Sequence, residues 1–301
     1  MVFAAGTMSY LSKPVVTTST TSFTYTGSIQ TWTAPAYGTV TCTLKGAAGG
    51  SNIIPSYSVD TRGGNGASLT FTFPVRGNEV YNIFIGKKPE TNTTNAFSAA
   101  NGGGPGGGGG GASAITFGTT IIAVSGGGGG AGYNFNGGAS AGTTSTTISN
   151  PDGNVYSGNA GLSPGVTTTG GRGGYITGGA AAIGRSSTDI KATNGSSIGG
   201  NGAYNIHANN AIKLGGNGYI VSENNYTISG GSGNVSSADG GGGGGGGGWF
   251  GGGGGAIDGG RGDGTGGGAG SSFISSICTT KTHSGGTNVG TGAASIVFTS
   301  F

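Results

Sequence analysis

Gly240–Gly248 is an unbroken run of nine glycines, closed by Trp249-Phe250 and followed by five more at Gly251–Gly255. Glycine loses more backbone freedom on ordering than any other residue, at about 1–2 kcal/mol for each backbone fixed, and it buries no side chain in return. An ordered glycine run must therefore place its N–H and C=O groups in hydrogen bonds to other backbone. The extended threefold helix, rising ~3.1 Å per residue, has no internal hydrogen bonds, but side by side such chains approach closely enough to bond one another. In that form Gly240–Gly248 would span roughly 28 Å, comparable with a strand of about eight residues. The competing reading is a set of floppy loops on a small β domain.

Working outward, further runs stand at Gly102–Gly104, Gly106–Gly111, Gly126–Gly130 and Gly266–Gly268. Flexible linkers sit between domains, whereas these runs are preceded and followed by period-two segments. Thr39-Val40-Thr41-Cys42-Thr43-Leu44-Lys45 puts Val40, Cys42 and Leu44 on one face, and Ser68–Phe73 alternates in the same way. Tyr81–Ile85 nearly does so, and Ala114–Phe117 and Ile121–Val124 flank Gly118-Thr119-Thr120 as a short hairpin. Ser271–Ile274 and Ser295–Thr299 add two strands at the far end. Thr, Val, Ile and aromatic residues bounded by Gly and Asn predict antiparallel sheets with one buried face. No helical apolar period is visible. The expectation is all-β: an antiparallel β-sandwich with an inserted polyglycine-helix bundle. Residues 1–22 read as an N-terminal arm and 23–301 as a single domain, with 23–125 mainly strands, 126–270 the glycine insert and 271–301 the closing strands.

Composition narrows the role. The chain has 301 residues, 77 of them glycine and 8 proline, yet 33% are hydrophobic and only 7% charged. Disordered chains stay open through high charge and low hydrophobicity, so this one should collapse. Twelve Lys and Arg stand against nine Asp and Glu without a basic cluster, which does not fit phosphate-driven nucleic-acid binding. No apolar stretch is long enough for a membrane span. No positive charge precedes Lys13 and no apolar signal core follows, so a cleavable secretion signal is not expected. Cys42 and Cys278 cannot form a disulfide framework or a four-ligand zinc site.

Two ends of the sequence carry a resemblance. Phe23–Pro35, then Gly38, Val40, Leu44 and Gly46-Ala47-Ala48-Gly49-Gly50, resemble the opening of the glycine-rich domains found in anaplastic-lymphoma-type receptor kinases and in many phage, bacterial, protist and large-DNA-virus proteins. Gly240–Gly255 with Trp249-Phe250, then Gly266–Ile274 and Ser295–Thr299, resemble the closing part. The resemblance implies a jelly-roll-like β scaffold interleaved with polyglycine helices, packing that is similar to the tip adhesins of T-even-like phages. It does not carry over a receptor role or a ligand site, because no kinase, span or secretion signal accompanies it.

The search for chemistry finds no enzyme signature. Gly86-Lys87-Lys88 is not a phosphate loop, since Tyr81 stands where the first glycine belongs and no Ser or Thr follows the lysine. His207 and His283 are solitary and read as surface or turn histidines. No cofactor and no metal site are expected. Gly259-Gly260-Arg261-Gly262-Asp263-Gly264 places Asp one position early for a calcium nonapeptide; its Arg-Gly-Asp reads as a receptor contact or as chance in a turn. Asn92, Asn194, Asn225 and Asn234 begin glycosylation triplets. Trp249 and Phe250 have two readings: an anchor plugging the bundle into the sheet, or an aromatic contact for a partner. Cys42 and Cys278 are a candidate disulfide only if sandwich closure brings them together, and a cytosolically assembled particle would keep them reduced.

These readings lead to a non-enzymatic structural component of a virus particle, a minor capsid, fibre or surface protein of a large DNA virus. Its partners would be other virion proteins or copies of itself, and its location the virion. The alternatives are a receptor-binding adhesin of a viral or phage fibre, contacting a host-surface receptor, and an extracellular surface or matrix glycoprotein.

Overall fold

A computed structural model describes residues 15–54, 59–89, 107–132, 148–150, 153–156, 195–196, 199–200, 243–249, 252, 257–258, 263–264 and 266–301. The strands over the first half are β1 Thr18–Thr24, β2 Gln30–Thr33, β3 Gly38–Lys45, β4 Asn52–Ile54, β5 Val59–Thr61, β6 Gly66–Val75, β7 Val80–Phe84, β8 Ser113–Phe117 and β9 Thr120–Ser125. Then come β10 Ile148–Asn150, β11 Gly153–Tyr156, β12 Gly195–Ser196, β13 Gly199–Gly200, β14 Ile257–Asp258, β15 Asp263–Gly264, β16 Ser272–Ser275, β17 Lys281–Asn288 and β18 Ala293–Ser300. No helix occurs among the described residues, so none there is long and apolar enough to cross a membrane.

Two antiparallel sheets carry the fold. One is five-stranded in the order β1-β18-β3-β6-β17, the other seven-stranded in the order β10-β11-β16-β9-β8-β7-β2. Alternation decides which faces meet. Val40, Cys42 and Leu44 of β3 point inward with Leu69, Phe71 and Phe73 of β6 and with Ala294, Ile296 and Phe298 of β18. From the second sheet Trp32, Tyr81, Ile83, Ile115, Ala123 and Ile274 join the same core. Aromatic pairs bridge the sheets, Phe73 to Tyr81 at 5.5 Å and Trp32 to Phe298 at 6.3 Å between ring centroids. The arrangement is a β-sandwich.

The five-stranded sheet shows the expected single buried face. Its outer side is a field of hydroxyls, including cross-strand pairs Thr41–Thr72 and Thr43–Thr70 with Oγ1 atoms 3.4 Å apart. The seven-stranded sheet differs from expectation because its middle strands β8, β9 and β16 are buried on both faces. One row across it, Ile83–Ile115–Ala123–Ile274, enters the core between the sheets. The next row, Phe84–Ala114–Val124–Phe273, forms a second apolar cluster on the opposite face. The near-continuous apolar runs of β8 and β9 suit a strand buried on both sides.

One boundary moves, one strand is added, and the expected hairpin forms. The expected arm ends early, because Thr18–Ser22 pairs with β18 from Thr299 to Ser295. β17 appears where no alternation announced it; Lys281–Asn288 forms the outer strand beside β6 with an irregularity between Ser284 and Asn288. The β8–β9 hairpin turns at Gly118 with φ of 53°, a left-handed conformation that glycine adopts without steric cost.

Candidate functional site

The described glycine segments that flank these strands leave the sandwich at one end. β3 runs into Gly46–Gly50, β9 into Gly126–Gly130, and β6, β8 and β16 begin where 62–65, 107–112 and 266–271 finish. These segments lie outside the strands, are buried along most of their length except at 62–65, and hydrogen-bond to one another mainly through backbone.

The bonding has a three-residue period. Ala47 and Gly50 donate to Gly111 and Gly108, whereas Gly46 and Gly49 donate to Ala67 and Gly64. Gly127 and Gly130 donate to Gly247 and Gly244, and their neighbours Gly128 and Ala131 donate to Ala47 and Gly50. Acceptors follow the same rule. The carbonyls of Gly126 and Gly129 receive Ala67 and Gly64, those of Gly127 and Gly130 receive Gly270 and Gly267, and those of Gly128 and Ala131 receive Gly110 and Gly107. The 126–131 segment thus sits in the middle and turns each successive residue toward a different neighbour.

Close approach explains the residue type. A β-carbon on Gly128 would overlap the carbonyl oxygen of Gly64, and one on Gly127 that of Gly110. Backbone cannot swing aside as a side-chain tip can, so a methyl group there displaces a segment. Alanine occurs where the direction is open: Ala47, Ala112, Ala131 and Ala269 are all fully buried within these segments.

Serine hydroxyls join the two bonding regimes. A strand bonds two neighbours in one plane, whereas a glycine segment bonds neighbours all round, so backbone groups at the transition need another partner. Ser125 Oγ, at the end of β9, accepts from Gly46 N–H at 3.0 Å and donates to the Ala67 carbonyl at 3.0 Å. Ser113 Oγ, its register partner on β8, accepts from Gly86 N–H at 3.0 Å and donates to the Lys45 carbonyl at 2.7 Å. Ser272 Oγ accepts from Gly126 N–H at 3.0 Å, and Asn288 Nδ2 donates to the Gly46 carbonyl at 2.7 Å. Sequence reasoning missed this belt. Its signal is a serine where β8, β9 and β16 meet a glycine run, at Ser113, Ser125 and Ser272.

Trp249 ends the Gly243–Gly248 segment and lies half-buried over the outer face of the seven-stranded sheet. Its ring stacks on Phe273 at 4.1 Å with planes 15° apart, and its N–H donates to the Ser271 carbonyl at 3.0 Å. This is the placement of an anchor, worth about 0.5–1.5 kcal/mol beyond the area buried. Phe250, His207, Arg261, Gly262, Asn92, Asn194, Asn225 and Asn234 lie outside the described residues.

Cys42 and Cys278 share the core but are not bonded; both thiols are free. Burial pushes the Cys278 thiol up to about 12 against the pull of Lys281. Cys42 is also raised, by burial first and by neighbouring Cys278 second. Neutral thiols of this kind are poor nucleophiles. His283, read as a surface or turn histidine, stands half-buried in the outer strand β17 opposite Leu69, and that burial lowers its pKa to about 4. Among the described residues no group of His, Cys, Asp and Glu is placed to hold a metal.

No protein-family model matches the chain, and no curated protein matches it.

Proposed function

We propose that this chain is a non-enzymatic structural component of a virus particle, a minor capsid, fibre or surface protein, built as a sandwich continued into a bundle of threefold polyglycine helices. The observation that carries the structural role is the three-residue period of the bonds around Gly126–Ala131. A threefold helix turns successive residues by about 120°, so residues three apart meet the same neighbour, which is the pattern of donors and acceptors on every segment. Such a body commits its backbone to mutual bonding and offers almost no side chains for chemistry. The buried serine hydroxyls are likewise committed to carbonyl and amide groups. Mechanical continuity is what the design provides, with the strands setting the register of segments that have no side chains of their own.

The assignment to a particle rests on the resemblance of Phe23–Gly50 and Gly240–Thr299 to glycine-rich viral and phage proteins. Immunogold labelling of purified particles tests it. Label at regular positions on the shell or shaft supports the reading. Label confined to fibre tips favours an adhesin over a building component, and absence from particles overturns both.

A further inference from the structure

The pole opposite the glycine segments is apolar. β3 starts there at Gly38, β6 ends there at Val75, and β18 reaches it at Ser300. Tyr37 and Phe301 pack across the strand ends with tilted rings, 5.2 Å between centroids and planes 60° apart, while remaining 60% and 62% exposed. Val15 and Val16, just before the bond between Thr17 and Ser300, are exposed beside them. On the second sheet Val80 begins β7, Phe117 ends β8 and Ile277 follows β16, all at the same end and all exposed. Among the described residues, the large exposed apolar side chains Ile29 and Val289 alone lie toward the glycine end. Single exposed apolar residues are ordinary, but a collection at one pole marks a contact surface.

We infer that this pole is the contact between two copies of the chain, meeting end to end about a two-fold axis. This goes beyond the particle assignment and stands without it. Two features favour a second copy over an unrelated partner. First, an isologous contact must complement itself, and an aromatic and aliphatic rim does so without like-charge repulsion. Arg76 and Glu79, between β6 and β7 at this end, carry opposite signs, so a two-fold axis can set each against the other. Second, the area is of the right size. With about 150–250 Å² for a large side chain, the exposed fractions amount to roughly 700 Å² per copy. That is close to the ~800 Å² per partner of a standard specific interface. The glycine ends then project outward on both sides.

Sedimentation velocity of the full chain, over a concentration series, is the test. The wild-type chain should sediment as a dimer that dissociates on dilution. The double variant Tyr37→Glu/Ile277→Glu should raise the dimer dissociation constant by at least about tenfold at an unchanged melting temperature. Val289→Glu, equally exposed but at the other pole, should sediment as wild type. If the acidic pair lowers the melting temperature, Tyr37→Ser/Ile277→Thr replaces it and should weaken the dimer in the same direction. A wild-type chain that stays monomeric throughout, or a dimer untouched by the pole variants, or one weakened as much by Val289→Glu, overturns the inference.

Discussion

Gly128→Ala separates a packed glycine bundle from a flexible loop because the two predict opposite signs. In a flexible segment, replacing glycine by alanine stabilises by about 0.4–1 kcal/mol, since the unfolded chain has less freedom to lose. Gly128 is not among the glycines with positive φ, so alanine can adopt its backbone and the same gain would apply if space allowed. Space is lacking: the new methyl group meets the Gly64 carbonyl oxygen, which is backbone. Moving the 62–65 segment away strains the bond from Gly64 N–H to the Gly129 carbonyl, 2.7 Å. Moving Gly128 strains its own bonds to Ala47 and from Gly110, 2.9 and 2.7 Å. Overpacking costs about 1–3 kcal/mol, and each weakened buried hydrogen bond adds roughly 1 kcal/mol. The net loss should be on the order of 2–4 kcal/mol, which for a chain of 301 residues lowers the melting temperature by roughly 3–6 °C. Urea titration of Gly128→Ala beside Ala131→Gly gives the comparison. The latter opens no clash and should lose only about 0.5–1 kcal/mol. Equal or greater stability for Gly128→Ala would refute the packing argument.

Other consequences are sharp enough to measure. Ser125→Ala leaves Gly46 N–H with only the Ala67 carbonyl, and deprives that buried carbonyl of one donor, so it should cost about 1–3 kcal/mol by urea titration; a neutral result would mean the belt is incidental. Cys42 and Cys278, free and held neutral by burial, should resist a thiol reagent in the native protein and both react once it is unfolded; failure of both to react in denaturant without reductant would indicate a disulfide. For His283 the folded pKa of about 4 lies below the ordinary 6.5, so between those values the unfolded chain binds more protons. Its contribution to stability is complete above pH 6.5 and declines as pH falls toward 4. The melting temperature of His283→Leu should therefore fall less over that window than that of the wild type, and parallel curves would contradict the placement.

Much of the sandwich was legible because side chains alternate along β3, β6 and β18, and one residue of slip would turn Val40, Cys42 and Leu44 to solvent. β17 was not, because Lys-Thr-His-Ser-Gly-Gly-Thr-Asn shows no apolar alternation and an outer strand beside β6 needs none. The doubly buried sheet was half visible in Ile121-Ile122-Ala123-Val124, where an apolar run replaces alternation. The glycine runs announced that backbone must bond to backbone but not which segment bonds to which, since a run of identical residues has no feature that distinguishes one register from the next. That information lies in the strands that feed the segments and in the serines at the borders. Ser113, Ser125 and Ser272 look like any other serine until both of their neighbours in space are known. The stacking of Trp249 on Phe273 fits the anchor, one of its two readings in the sequence.

Residue-resolved amide hydrogen exchange of Gly126–Ala131 tests the central account most directly. The donors of Gly127, Gly128, Gly130 and Ala131 are each bonded to another segment at 2.7–3.0 Å, so exchange should require opening of the body and be as slow as in β3 and β18. The same protection should appear at Gly244, Gly246 and Gly247, whose donors reach Gly107, Gly268 and Gly110. Exchange at these amides as fast as in an unstructured glycine peptide, with β3 and β18 still protected, would contradict the bundle and leave only a sandwich with loops.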